Sequence, residues 1–185
     1  TLDAKELLTL ADLALYEVKK SGKNDFCVFN AFMRAGHQRR KDLEAELNAA
    51  IASDALELFY QPILALKSRR IVGYEALMRW NHPRRGLLPP SEFIPMAEDA
   101  GLMVALGEWA IGRACRQAAA LPDDVRVSVN ISPTQLRSAG IVQSVKRALA
   151  ETSLAPHRLV LEITETAILS SEAIASRVIT ELQGL

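Results

Sequence analysis

Apolar residues recur along this chain with two periods, and the change from one to the other marks its elements. Leu7, Leu10, Ala11, Ala14 and Val18 follow a helical repeat that predicts a helix over 5–20, with Ser21-Gly22-Lys23-Asn24 as its stop. A strand is expected over 25–32. A second helix follows over 34–53, with Leu43, Leu47, Ala50 and Ile51 on one side and a largely charged surface, Arg39 to Glu46, on the other. That charged surface is most simply a solvated face.

From residue 56 the alternation becomes two. Strands are expected over 56–66, 71–80, 125–132 and 159–164. Helices are expected from a Ser91 cap to Gly101, over 103–121, after the capping box Ser132-Pro133-Thr134-Gln135, over 141–150, and around Ile174, Val178 and Leu182. Strand and helix alternate from Ile71 onward, the mark of a parallel α/β sheet. The first two strands break the rule. Lys67-Ser68-Arg69-Arg70 is too short for a parallel crossover, so these two must run antiparallel. Pro62 then suits an edge or a strand end.

The strand over 71–80 places Ile71, Gly73, Glu75, Leu77 and Arg79 on one face and the apolar Val72, Tyr74, Ala76, Met78 and Trp80 on the other. Glu75 and Arg79 lie roughly 13 Å apart along it, a span suited to a charged ligand lying lengthwise. The plainer account is a strand whose charged face meets water. Asn130 falls near the C-terminal end of its own strand, where it can equally be a turn former before the next helix. Glu162 interrupts an apolar and hydroxylic strand, where a carboxylate is costly unless a cation meets it. Asn81 to Gly86 reads as a turn-rich loop at the same strand end, with His82, Arg84 and Arg85 within it.

Composition narrows the function further. The 185 residues are 49% hydrophobic and balance 22 basic against 22 acidic residues, so a core can form and no general affinity for nucleic acid or a membrane surface is indicated. Phosphate affinity, if present, is local. Cys27 and Cys115 stand far apart without metal-ligand spacing and read as buried thiols in a reducing compartment, with a disulfide as the lesser alternative. No apolar run is long enough to span a bilayer, and a cytoplasmic location is expected, with any membrane tether lying in regions before the chain.

The wording around these residues resembles the EAL family of cyclic di-GMP phosphodiesterases. The matching stretches are Tyr60-Gln61-Pro62-Ile63, Tyr74 to Trp80, Pro90 to Pro95, Ala97-Glu98, Gly101-Leu102, Val129 to Ser132 and Leu161 to Glu165. None is specific alone; their order over more than a hundred residues is. The resemblance implies the first half of a modified (β/α)8 TIM barrel with an antiparallel first strand, which carries hydrolysis of cyclic di-GMP to linear pGpG. It implies that Glu75, Asn130 and Glu162 hold Mg2+ or Mn2+, that Gln61, Leu77 and Arg79 contact the dinucleotide, and that Glu165 steadies the loop after the following strand. A homodimer through this domain is also implied.

Residues 1–33 resemble the end of a GGDEF domain, through Ala11-Asp12, Ala14-Leu15-Tyr16, Lys19 and Gly22-Lys23-Asn24. In that family a lysine and an arginine help hold nucleotide phosphates. Lys19 matches the lysine, whereas Lys23 stands where arginine is usual and so lacks the bidentate fork. The implied organisation is a GGDEF remnant over 1–33, a connecting helix over 34–53 and the start of an EAL domain over 54–185. The chain is expected to be truncated within that domain and catalytically silent by itself. The competing class is a receptor that binds cyclic di-GMP without cutting it.

Overall fold

A computed structural model describes residues 3–20, 25–53, 55–138, 140–163 and 172–185. The chain divides into two compact units, Thr1–Glu46 and Leu47–Leu185.

In the first unit α1 spans Ala4–Lys20. Asp3 caps it, its Oδ1 accepting from Glu6 N at 2.7 Å. Leu10, Ala14 and Val18 form its buried stripe. The strand expected over 25–32 does not form. Residues 25–30 join no ladder, and α2 begins at Ala31 and runs to Ile51. The reason is local: Asn30 Oδ1 accepts from Met33 N at 3.2 Å, so its side chain starts a helix where alternation alone suggested a strand. Residues 21–24, including Lys23, and the Lys19 side chain lie outside the described part.

The second unit is built on a sheet. β1 (Leu56–Leu64) and β2 (Ile71–His82) pair antiparallel, with Leu56 opposite Trp80 and Gln61 opposite Glu75, as the short connection requires. β2 continues past Trp80 and turns back at Gly86 into β3 (Gly86–Leu88), so the expected loop is part of a hairpin. His82 is buried there, its ring tilted 52° to that of Trp80 at 4.9 Å between centres, and its Nδ1 accepts from Arg84 N at 3.1 Å. Through that bond it holds the turn.

α3 (Pro90–Asp99) starts at Pro89, one residue before a proline whose missing N–H costs nothing at that position. Ser91 therefore lies inside the first turn and is not the cap. α4 (Met103–Ala119) leads into β4 (Arg126–Ile131), and α5 (Pro133–Leu136) follows through the expected capping box of Ser132 and Gln135. α6 (Gly140–Thr152) and a 3-10 turn at Pro156–Arg158 precede β5 (Leu159–Ile163), and α7 spans Glu172–Gln183. β4 pairs parallel with β2 on one side and β5 on the other, giving the order β1-β2-β4-β5.

One face of this sheet is the core. Ala76, Val127, Val129 and Ile131 pack with Ala110, Ile111, Ala114 and Cys115 of α4 and Val142 and Val145 of α6. Trp80 and Phe93, both almost fully buried, meet edge to face at 5.9 Å and fasten α3 to β2. With helices on that face, the polar residues of the strands are gathered on the other.

Candidate active site

Strand alternation and register place the candidate residues. Gln61 faces Glu75 across the antiparallel pair, Phe59 faces Leu77, and Glu57 faces Arg79. Glu75 lies level with Ser128 across the parallel pair, so Asn130 sits one strand repeat further toward the C-terminal end on the same face. Asn130 in turn lies level with Glu162 on β5. Gln61, Glu75, Asn130 and Glu162 thus run across four neighbouring strands, level between Gln61 and Glu75 and between Asn130 and Glu162, each about 4.8 Å apart, and stepped by two residues between Glu75 and Asn130.

The line is closed at its centre by one bond. Asn130 Nδ2 donates to Glu75 Oε1 at 2.8 Å, from a residue 55 positions away in the chain. The other carboxylate oxygen of Glu75, the amide oxygen of Asn130 and the Glu162 carboxylate supply hard oxygen donors, which suits Mg2+ or Mn2+. Among the described residues no group of three or more histidine, cysteine, aspartate or glutamate side chains offers another metal centre. This set of two carboxylates and an amide therefore fits a hard cation through the chemistry of its donors.

Arg79 is oriented from two sides. Its Nη1 donates to Met78 O at 2.8 Å, and its guanidinium carbon lies 5.3 Å from the centre of the Phe59 ring. Leu77 stands opposite Phe59, giving the site an apolar strip beside the polar line. Phe59 was not singled out from sequence. Its signal was available in the alternation, since it lies two positions before Gln61 and so shares its face. Glu165 lies outside the described residues.

A sheet with one antiparallel leading pair, helices on one face and a line of oxygen donors on the other defines the class of this chain. Residues 44–185 match the EAL domain family model, and the chain belongs to that family. Among its relatives is MucR of Pseudomonas aeruginosa, named a bifunctional diguanylate cyclase and cyclic di-GMP phosphodiesterase, 41% identical over 180 residues, covering 95% of this chain and 26% of MucR. The cyclic di-GMP phosphodiesterase NbdA of the same organism is 40% identical over 169 residues, covering 89% of this chain and 22% of NbdA. The chain thus spans about a quarter of the length of these curated relatives. The solved PaMucR phosphodiesterase in its cyclic di-GMP complex superposes with a TM-score of 0.73 at 37% identity, over 77% of this chain and 60% of that one.

Proposed function

We propose that the protein carrying this chain hydrolyses cyclic di-GMP to linear pGpG in a reaction that depends on Mg2+ or Mn2+. The observation that carries this reading is the Asn130 to Glu75 hydrogen bond, which brings the middle of the oxygen set together at the sheet face. Relatives named as cyclic di-GMP phosphodiesterases support the substrate. Glu75, Asn130 and Glu162 would hold the cation. When bound, a divalent cation lowers the pKa of water and offsets charge on the attacking and leaving oxygens.

The chain's own residues bind and orient the dinucleotide. Arg79 presents a planar, two-pronged donor to a nonbridging phosphate oxygen, and the Phe59 ring limits where that donor points. Gln61, level with Glu75, supplies an amide contact, and Leu77 an apolar one. In the net reaction water oxygen bonds to phosphorus, one bond from phosphorus to a ribose 3′ oxygen breaks, and the linear product keeps a 5′ phosphate.

A GGDEF-type module preceding this domain fits the same reading, because the similarity to MucR covers 95% of the chain, beyond the span of residues 44–185. The test is chromatographic detection of pGpG with and without Mg2+ or Mn2+, in the wild-type protein carrying this chain and in its Glu75→Ala variant. Activity that needs the metal and falls by orders of magnitude in Glu75→Ala is expected. Unchanged turnover in the variant overturns the assignment, and wild-type binding of cyclic di-GMP without turnover assigns the receptor class instead.

A further inference from the structure

Gln135 is only 3% exposed, an unusual setting for a carboxamide. Its Oε1 accepts from Ser132 N at 2.8 Å, while its own N donates to Ser132 Oγ at 3.3 Å. The β4 ladder ends at Ile131, opposite Ile163, so Ser132 is the residue at which the chain leaves the sheet. Two positions earlier stands Asn130, bonded to Glu75. The far end of Gln135 rests on α4 at Gly107, where a Cβ would overlap Gln135 Nε2 and crowd its carboxamide carbon. Glycine at 107 is therefore what lets this side chain lie flat against α4 and reach back to Ser132.

We propose that Gln135, seated on Gly107, is a positioning residue for the metal site: it pins the end of β4 and so holds Asn130 at the reach that meets Glu75. This rests on the reading of Glu75, Asn130 and Glu162 as cation ligands. Without the acceptor on Gln135, Ser132 N–H at the edge of the core loses its bond, and the last strand residues are free to fray. A displaced amide tip then no longer meets Glu75 and the cation together. Partners bonded directly to a metal ligand change metal affinity about 10- to 100-fold when removed, and Gln135, acting through Ser132, is expected at the lower end of that range.

The experiment measures Mn2+ affinity by calorimetry, without substrate, in the full protein carrying this chain. Gln135→Met keeps the volume and removes the acceptor. Gly107→Ala keeps the glutamine and displaces it. Val145→Ala, a core change on α6, reports what lost stability alone does to binding. Gln135→Met and Gly107→Ala are each expected to weaken Mn2+ binding about tenfold or more, while Val145→Ala leaves it unchanged. If Gln135→Met binds Mn2+ as tightly as Val145→Ala does, the inference is overturned. Glu75→Ala separates the two ideas: if it binds Mn2+ normally, the metal site itself is wrong, whatever Gln135 does.

Discussion

The guanidinium carbon of Arg79 lies 5.3 Å from the centre of the Phe59 ring, across the antiparallel pair of β1 and β2. An aromatic face in this position attracts the cation and narrows its range of directions, at a gain of about 0.5–1 kcal/mol for an exposed site. Phe59 is itself 44% exposed, so the contact lies at the surface of the site. Phe59→Leu is expected to weaken cyclic di-GMP affinity about two- to fivefold, with Mn2+ affinity unchanged. Calorimetry on both ligands checks it. Equal dinucleotide affinity in Phe59→Leu and wild type would show that the ring does not help Arg79.

Arg158 joins three elements through one side chain that is 6% exposed. Its guanidinium donates to Ala118 O at 2.8 Å, Leu121 O at 3.2 Å, Pro122 O at 2.8 Å and Val125 O at 3.0 Å, and also to Asp123 Oδ1 at 3.2 Å. It thereby satisfies carbonyls at the end of α4 and in the loop into β4, from the turn that opens β5. Arg158→Met removes the guanidinium from all of these acceptors, of which Ala118 O and Pro122 O keep backbone donors in Leu121 N and Val125 N, and is expected to cost about 3 kcal/mol in urea unfolding. Asp123 faces solvent, so Asp123→Asn should change stability little. Similar losses in the two variants would mean that the ion pair, and not the carbonyl clamp, carries the effect.

Burial pushes the Cys115 thiol from its usual 9.0 up to about 11. Folding therefore favours the protonated thiol. That contribution is complete below about pH 9 and is lost as pH rises through about 11, because the unfolded chain gives up the proton first. Cys115 should resist a maleimide at pH 8 in the native protein and react after unfolding, whereas the partly exposed Cys27 reacts in both. Mass spectrometry of the labelled chain reads both sites. Rapid native labelling of Cys115 would contradict its burial against β4.

Much of the arrangement of the candidate residues was legible in the sequence. Alternation assigned Glu75, Leu77 and Arg79 to one face of β2, and the shared wording with EAL domains marked Gln61, Asn130 and Glu162. The short connection over 67–70 required an antiparallel first pair, and Ser132 with Gln135 required a helix start. The failures have local causes. A side-chain cap at Asn30 overrode an alternating stretch at 25–32, and Pro89 with Pro90 took the helix start assigned to Ser91.

Strand periodicity depends on neighbouring residues alone, so the chain's own pattern settled which side chains share a face. It could not settle which residue of one strand stands beside which residue of the next. That register depends on cross-strand hydrogen bonds and on how the apolar face seats against α4 and α6. Only the folded sheet therefore set Asn130 level with Glu162 and within reach of Glu75, placed Phe59 under Arg79, and brought Gln135 onto Gly107. Each of these pairs joins separate elements, and it is packing between elements that decides them.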